Sequence, residues 1–141
     1  MSNINAKFLA NLAHAFNEDR LADVSEHLCY PVPFYAGDHL SVFGSSGTLV
    51  QGLALYRDTI RAAGVVRVTP RIVAQGMPAQ GYSNVWVEWD HFDAHGVCLR
   101  ISQVRYALFQ DAGQLFPVIE MIDYQVAAFP EVYQRFAVVG A

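Results

Sequence analysis

The sequence predicts a single α+β domain over residues 1–141, and two patterns carry that prediction. Helical periodicity is confined to the first half of the chain and its last residues. Residues 83–125 instead contain three alternating apolar and polar runs, separated by two short glycine-containing turns. Alternation with a period of two is typical of half-buried strands, so these runs predict a three-stranded antiparallel meander. Helices and strands that occur in separate blocks indicate an α+β architecture.

The first part of the chain predicts two helices followed by two short strands. One apolar stripe at helical spacing marks an amphipathic first helix, formed by Ile4, Phe8, Leu12, Ala15 and Phe16. Residues 18–28 repeat the pattern more weakly, with Asn17 as a candidate N-cap, and Pro31 ends any helix. The two strands are predicted over residues 32–35 and 39–43.

The middle of the chain predicts a second long helix and then a strand. Thr48 with Gln51 resembles a capping box, and the apolar face that follows ends near Gly64. Residues 65–74 alternate as a strand does. After the meander, Pro130 opens a short C-terminal helix.

Composition limits the possible functions. Hydrophobic residues make up 53% of the chain and charged residues only 16%, and this apolar surplus is expected to line a cavity or a subunit interface. The net charge is −4, and the nine Lys and Arg residues are scattered, which argues against a nucleic-acid partner. No apolar run approaches the roughly 20 residues that span a bilayer, so we expect no membrane insertion.

Location, cysteine chemistry and cofactors are also expectations at this point. The N-terminus lacks the pattern of a signal peptide, and the two cysteines, Cys29 and Cys98, form no recognisable motif. We therefore expect a cytoplasmic protein in which both thiols are free and behave as small buried hydrophobes. No cofactor motif is present. His91, Asp93 and His95 alternate without a fourth ligand nearby, so we expect neither a cofactor nor a metal.

The register of the meander assigns each side chain to a face. If each hairpin turns through three residues with glycine last, 94–96 and 111–113, then Asp90 lies opposite Arg100 on an outward polar face. The inward face then carries Val85, Val87, Trp89, His91, Leu99, Ile101, Gln103, Arg105, Ile119, Met121 and Asp123. A mostly apolar face with a few polar groups is typical of a small-molecule pocket. A slip of one residue in either hairpin would reverse part of this assignment.

The element order, the hairpin-containing run 105–113 and the strand at residues 119–123 (IEMID) resemble the nuclear transport factor 2-like superfamily, which includes SnoaL-like cyclases and ketosteroid-isomerase-like enzymes. The resemblance covers nearly the whole chain. It implies a cone-shaped α+β barrel, in which a curved, mixed and mainly antiparallel sheet wraps around the N-terminal helices and encloses a pocket. It also implies a homodimer through the outer sheet face, where the predicted register puts Trp86, Phe92, Tyr106, Ile122 and Tyr124.

Asp123 is the predicted catalytic residue, matching the pocket-facing aspartate that the resemblance implies for the last strand. An apolar cavity desolvates a carboxylate, which raises its pKa towards values suited to acid–base chemistry near neutral pH. The alternative is a structural aspartate that pairs with Arg105 or Gln103.

The predicted ligand contacts are a mixture of polar and apolar groups. Gln103 and a tyrosine, Tyr30 or Tyr35, would donate hydrogen bonds to a ligand carbonyl. Arg105 would bind an anionic or carbonyl group, or neutralise Asp123 instead. Trp89 would form a flat wall, although it is equally ordinary core material. The other predicted contacts are His91, Ile101, Met121 and Val87.

Two function classes stay open on the sequence alone. In the first, a small, largely apolar, cyclic molecule undergoes isomerisation, cyclisation or dehydration by proton transfer at Asp123. In the second, the domain is a non-catalytic binding or assembly module. The choice stays open because the first helix offers only Phe8, Leu12 and Phe16 towards the core, whereas superfamily enzymes oppose their carboxylate with a second polar group.

Overall fold

The structure is a computed structural model that describes the backbone of residues 4–139 and the side chains of residues 4–136. Its elements, in chain order, are α1 (Ile4–Asn17), α2 (Leu21–Ser25), β1 (Val32–Ala36), β2 (His39–Phe43), α3 (Ser46–Ala62), β3 (Arg67–Gln75), β4 (Tyr82–Phe92), β5 (Cys98–Phe109), β6 (Val118–Val126) and α4 (Pro130–Val139). The predicted α+β class and element order are confirmed. The main difference is α2, which is one short turn where the sequence predicted a helix over 18–28.

The six strands form one curved, open sheet in the order β2-β1-β6-β5-β4-β3. Strands β1 and β6 run parallel, and every other neighbouring pair is antiparallel. The edge strands β2 and β3 do not meet. The cone-shaped α+β fold with a mixed sheet is confirmed, with the sheet open along one side. None of the helices in the described part of the chain is long and apolar enough to cross a membrane.

The hydrophobic core lies between the concave face of this sheet and the helices. Helix α1 buries Phe8 and Leu12, and α3 buries Leu49 and Ile60, in one continuous cluster with the inner side chains of the strands. Helix α4 closes the same cluster with Val132, which is fully buried. Amphipathic helices reach this arrangement because burying their apolar stripes is worth about 25 cal/mol per Å² of apolar surface.

Helix α3 begins one turn earlier than predicted. The N-cap is Ser45, whose hydroxyl accepts a hydrogen bond from the Thr48 amide at 3.3 Å, while the Thr48 hydroxyl accepts from the Ser45 amide at 3.3 Å. This reciprocal capping box satisfies two helix-end amides. The sequence prediction had placed the box at Thr48 and Gln51. A serine followed three residues later by threonine performs the same exchange, because a hydroxyl oxygen accepts from a backbone amide as a glutamate or glutamine oxygen does.

The predicted register of the β4–β5 hairpin is wrong by one residue along most of its length. Phe92 does pair with Cys98, as a three-residue turn requires, but His91 then pairs with Arg100. Leu99 is therefore an extra residue on β5, a bulge that reverses the faces of the rest of that strand. Asp90 consequently lies opposite Ile101 and not opposite Arg100.

The β5–β6 hairpin departs further from the prediction. Its loop spans residues 110–117 in place of a three-residue turn, and Phe109 pairs with Val118. A second irregularity leaves Glu120 as an extra residue on β6, between the pairs Leu108–Ile119 and Ala107–Met121. Residues 121–124 therefore lie on the faces opposite to those predicted, up to a further irregularity at Gln125.

These shifts reassign the inner face of the sheet. The inward positions predicted for Ile101, Gln103, Arg105, Met121 and Asp123 are wrong, and these residues lie on the outer face. Those predicted for Val85, Val87, Trp89, His91 and Ile119 are right. Leu99, also predicted to point inward, is unpaired in the bulge and 43% exposed. Tyr106, Ile122 and Tyr124, which were predicted on the outer face, point inward instead. Ile101 is 41% exposed, whereas its neighbour Ser102 is fully buried.

The prediction that the cysteines are buried is also wrong. Cys29 and Cys98 are both exposed and unpaired. Cys98 begins β5, next to the hairpin turn, and Cys29 follows α2, where its amide donates to the Ile119 carbonyl at 2.9 Å. The loops that join helices and strands run over the surface. This position outweighs the usual tendency of a free cysteine to be buried.

Candidate functional site

A cavity of about 120 Å³ lies between the concave sheet face and helices α1, α2 and α3. Most of its wall is apolar, formed by Leu12, Phe16, Val24, Leu28, Phe34, Leu49, Leu53, Val68, Ile119 and Ile122. Five lining residues carry polar atoms and are called here the tyrosine–histidine cluster: Tyr56, Trp89, His91, Tyr106 and Tyr124. None of the described Asp, Glu, Lys and Arg residues lines the cavity. Its volume is comparable to that of an apolar cavity of about 150 Å³ that holds one benzene.

Secondary-structure periodicity places the cluster. Tyr56 follows Leu49 and Leu53 on the same face of α3, since residues three and four apart are neighbours on a helix. Trp89 and His91 are alternate residues on β4 and so share its inner face. Tyr106 and Tyr124 come from β5 and β6. The bulges at Leu99 and Glu120 are what turn these two tyrosines inward.

Tyr56 and His91 are directly hydrogen-bonded, through the tyrosine hydroxyl and Nε2 of the imidazole. The other ring nitrogen, Nδ1, lies 3.1 Å from the Trp89 carbonyl oxygen. A carbonyl oxygen only accepts, so Nδ1 carries the ring proton and Nε2 is the acceptor. The Tyr56 hydroxyl therefore donates to Nε2. The result is a directed chain from Tyr56 through His91 to the Trp89 carbonyl.

Burial keeps His91 neutral. The side chain is fully buried, and the loss of solvation lowers its pKa below the ordinary value of 6.5. Backbone hydrogen bonds from the ring and the nearby Asp90 carboxylate oppose that shift without reversing it. An unprotonated imidazole at neutral pH is the form that accepts a hydrogen bond from the Tyr56 hydroxyl.

A second directed hydrogen bond joins Trp89 to Tyr106. The indole Nε1–H donates to the Tyr106 hydroxyl oxygen at 2.8 Å. Burial raises the pKa of Tyr106 well above 10, the negative charge that Tyr124 would carry adds to the shift, and the indole hydrogen bond opposes it. Tyr106 therefore stays protonated. Its own hydroxyl proton has no acceptor among the described residues.

The remaining hydroxyls of this region are neutral as well. Burial raises the pKa of Tyr124 to about 12, against a lowering effect of the Tyr133 hydroxyl. The Tyr133 hydroxyl is buried and near enough to Tyr124 to affect its pKa, but it has no described partner at full hydrogen-bond geometry. The centroids of the Tyr124 and Tyr133 rings are 4.8 Å apart. Burial also raises the pKa of Tyr56 well above 10. The cavity thus ends in uncharged hydroxyl groups that suit a carbonyl or hydroxyl of a neutral ligand.

Two of the residues predicted from the sequence as ligand contacts line the cavity, namely Trp89 and His91. Val87 is buried in the core beside them and does not line it. Tyr30 is half-buried, and its hydroxyl donates to the Ser25 carbonyl at 2.7 Å. Tyr35 is 39% exposed on the outer face of β1. Neither tyrosine lines the cavity, so neither is placed to donate the predicted hydrogen bond to a ligand carbonyl.

The predicted catalytic residue, Asp123, lies on the outer face, 3.3 Å from Arg105. Arg105 also donates to the Asn84 side chain at 3.2 Å, and Gln103 donates to Glu88 at 3.2 Å. These groups therefore satisfy one another on the face away from the cavity. The pairing matches the structural alternative weighed for Asp123, and the premise of its catalytic role, a place inside an apolar cavity, is wrong.

Sequence reasoning missed three members of the cluster: Tyr56, Tyr106 and Tyr124. A signal was available for Tyr56, because a tyrosine in the apolar stripe of α3 puts a hydroxyl against the core. The other two depend on bulges that alternation alone does not show. Among the described residues, no three His, Cys, Asp or Glu side chains are arranged to hold a metal ion.

Comparisons with known proteins give the fold its family context. No family model matches the sequence, and no curated protein matches it. Aln2 from a Streptomyces species superposes with a TM-score of 0.64 at 12% identity, over 87% of this chain and 88% of Aln2. A protein from Catenulispora acidiphila in complex with S-DNPA gives a TM-score of 0.61 at 11% identity, over 86% of this chain and 90% of that one.

A third solved structure is described as an NTF-2 like protein of unknown function from Shewanella oneidensis. Its TM-score is 0.63 at 12% identity, over 86% of this chain and 96% of the other. Identities this low establish the fold alone. The chain therefore has the nuclear transport factor 2-like fold that the sequence resemblance implied.

Proposed function

We propose that this protein binds a small, neutral, largely apolar cyclic molecule in the cavity of its α+β cone, with a polar group of the ligand against the tyrosine–histidine cluster. The observation that carries the proposal is the one-sided distribution of polarity. Apolar side chains form most of the wall, and the polar side-chain atoms of the lining belong to five residues. Pockets for small molecules combine an apolar wall with a few placed polar groups in this way.

The charge of the lining argues for a neutral ligand. No ionised side chain of the described residues lines the cavity, and burial keeps His91 and the tyrosines uncharged at neutral pH. A carboxylate or ammonium group would lose its hydration without gaining an opposite charge, which costs several kcal/mol. The cavity volume of about 120 Å³ suits one six-membered ring, with any larger part of the molecule towards the cavity mouth.

The comparison structures are consistent with a binding role. The Catenulispora acidiphila protein of the same fold was solved in complex with S-DNPA, so this architecture accommodates a small molecule in at least one case. That fact describes the other protein. It supports the proposal only through the shared fold, because folds of this kind host unrelated functions.

Binding is tested by calorimetric titration of phenol, cyclohexanone and benzoate into wild type, Leu53→Trp and Asp123→Asn. The enlarged side chain at position 53 fills the cavity, whereas Asn at position 123 changes only the outer face. We expect wild type and Asp123→Asn to bind phenol or cyclohexanone but not benzoate, and folded Leu53→Trp to bind neither. Loss of binding in Asp123→Asn alone would show that the ligand binds at Asp123 on the outer face and not in the cavity.

Acid–base catalysis on the bound molecule is a second function, and the Tyr56–His91 hydrogen bond is the observation that favours it. A neutral imidazole in contact with a tyrosine hydroxyl is a pair through which a proton can be transferred. Isomerisation, cyclisation and dehydration all need such a transfer. Turnover of a bound ketone by wild type, with binding but no turnover in Tyr56→Phe, would establish an enzyme. Binding without turnover in both would establish a non-catalytic module.

We also propose a homodimer through the outer face of the sheet and a cytoplasmic location. Ile101 and Val126 are each more than 40% exposed on that face, which also carries the Arg105–Asp123 pair, and Leu99 in the adjoining bulge is 43% exposed. Exposed apolar groups that surround satisfied polar ones are typical of a protein–protein interface. Two exposed, unpaired thiols are compatible with a reducing compartment.

A further inference from the structure

The two hydrogen bonds within the tyrosine–histidine cluster have fixed directions, and those directions constrain the ligand. The Tyr56 proton is engaged by Nε2 of His91, because Nδ1 already donates to the Trp89 carbonyl. The Tyr56 oxygen keeps two lone pairs, of which the nearby Ser102 hydroxyl can occupy one. Towards the cavity, Tyr56 therefore acts as a hydrogen-bond acceptor for whatever lies there.

Tyr106 has the opposite polarity. Its oxygen already accepts from the Trp89 indole at 2.8 Å, and an indole nitrogen has no accepting capacity. The free part of this hydroxyl is its proton, which no described residue accepts. Towards the cavity, Tyr106 therefore acts as a donor. One residue, Trp89, sets both directions, through its carbonyl on one side and its indole on the other.

Tyr124 carries the remaining hydroxyl of the lining, and it does not change the roles of Tyr56 as an acceptor and Tyr106 as a donor. It makes no hydrogen bond to Tyr56 or to Tyr106 in the described structure, and its ring lies beside that of Tyr133. A buried donor or acceptor without a partner costs about 1–3 kcal/mol, so a ligand that satisfies both tyrosines gains over one that satisfies only one.

From these directions we infer the chemical class of the ligand: a neutral cyclic hydroxy-ketone, whose hydroxyl donates to the Tyr56 oxygen and whose carbonyl accepts from the Tyr106 hydroxyl. The inference rests on the proposed binding function of the same cavity and narrows it. A hydrocarbon of the same size satisfies neither tyrosine, and a simple ketone satisfies only Tyr106.

The test is a set of dissociation constants for single-ring probes: methylcyclohexane, cyclohexanone, cyclohexanol, 3-hydroxycyclohexanone and 4-hydroxycyclohexanone. Each is measured with wild type, Tyr56→Phe, Tyr106→Phe and, as a matched control on the surface, Tyr82→Phe. Tyr82 is 53% exposed at the start of β4 and does not line the cavity. Two positional isomers are included so that either spacing of the two groups is represented.

In wild type and Tyr82→Phe, we expect one hydroxy-ketone to bind roughly 3- to 10-fold tighter than cyclohexanone, as one added neutral hydrogen bond gives. Tyr56→Phe should lose the preference for the hydroxyl and keep that for the carbonyl over the hydrocarbon. Tyr106→Phe should show the reverse. Two separate losses, one for each variant, are what the opposite polarities require.

The outcomes show separately whether the hydroxy-ketone inference fails or whether the proposed binding function fails. If the ketone and alcohol bind but neither hydroxy-ketone binds more tightly, the inference is wrong and the binding function stands. The inference is equally wrong if the two Phe variants change all probes by the same factor, because that would indicate a general effect on cavity shape. If no probe binds wild type, both proposals are overturned.

Discussion

The Tyr56 hydroxyl donates to Nε2 of His91, and this single contact joins the middle of helix α3 to the inner face of strand β4. It ties a residue 35 positions earlier in the chain to a fully buried imidazole. Because the other ring nitrogen faces the Trp89 carbonyl, the imidazole is held in one tautomer and must stay neutral to keep both hydrogen bonds.

Stability should therefore depend on pH through His91. Its folded pKa is lowered by burial below 6.5, so between 6.5 and the folded pKa the unfolded chain binds a proton that the folded chain does not. The stabilising contribution is present above 6.5 and is lost as pH falls through this window. We expect the melting temperature of wild type to fall from pH 7.5 to 5.5, and to fall less steeply in His91→Gln.

Thermal denaturation followed by circular dichroism measures this slope. His39→Gln is the matched control, because His39 is exposed on β2 and lies outside the cavity. It should keep the wild-type slope. An equally steep slope in His91→Gln would show that His91 does not carry the effect.

A second dependence on pH is expected from Asp90 at lower values. Arg71 holds this buried carboxylate with two hydrogen bonds of 2.7 and 2.9 Å, and these lower the pKa of Asp90 below 3.8. The contribution of a carboxylate with a depressed pKa is present above 3.8 and is lost as pH falls through the folded value. Asp90→Asn should destabilise the protein at pH 7, and its difference from wild type should shrink as the pH falls below 3.8.

Urea titrations at pH 7, 4.5 and 2.5 follow this convergence. Glu88→Gln serves for comparison, since Glu88 contacts the same guanidinium at 2.9 Å from a more exposed position. Its effect should be smaller, because solvent screens exposed ion pairs. A constant difference between Asp90→Asn and wild type at all three pH values would rule out the ion pair as its cause.

At Gly52, close packing against Phe43 outweighs the higher helix propensity that alanine would have. A Cβ atom at this position would lie 3.0 and 3.1 Å from atoms of the Phe43 ring, which is fully buried and contacts Phe34 and Phe136. Gly52→Ala should gain about 1 kcal/mol of helix propensity and lose about 1–3 kcal/mol through overpacking. We expect a net destabilisation of up to about 2 kcal/mol.

Gly47→Ala, on the same helix, is the matched control. A Cβ there would meet nothing closer than the Ser45 hydroxyl oxygen at 3.8 Å, so this variant should stabilise the protein by up to about 1 kcal/mol. Chemical denaturation of both variants gives the two differences. Stabilisation by Gly52→Ala would mean that the Phe43 ring moves aside freely.

The proposed dimer predicts a change of mass on substitution of Ile101. This residue is 41% exposed near the middle of the outer face, where a charge would be buried on association. Wild type should elute as a dimer in size-exclusion chromatography with light scattering, and Ile101→Arg as a monomer. Leu115→Arg, in the exposed loop at 110–117, should remain dimeric. A monomeric wild type would exclude this interface.

The order and type of the elements could be predicted because each depends on local periodicity. The stripe of α1 and the alternation of β4 appear directly in the sequence. The register could not be predicted, since Leu99 on β5 and Glu120 on β6 are extra residues that shift the pairing of their strands. Nothing in their side chains distinguishes them from their neighbours, and the bulges depend on how the curved sheet packs on the helices.

In the candidate site, too, some residues could be predicted from local periodicity and others depend on bulges and packing. Trp89 and His91 were identified because β4 keeps its alternation. Arg105 and Asp123 were predicted to point inward because the bulges at Leu99 and Glu120, which reverse the faces of the residues after them, are not apparent in the sequence. The Tyr56 contact joins a helix to a distant strand. Such a contact requires knowledge of the packing, although the tyrosine in an apolar stripe was visible.

The cavity is tested most directly as the binding site by following the indole N–H signals of Trp86 and Trp89 by NMR, while cyclohexanone or phenol is titrated into the protein. The two tryptophans are on the same strand, three residues apart, with Trp89 lining the cavity and Trp86 on the outer face opposite Arg105. We predict that the Trp89 signal shifts and saturates while that of Trp86 stays in place. A saturating shift of Trp86 with Trp89 unchanged would put the ligand on the outer face and contradict the assignment of the cavity as the binding site.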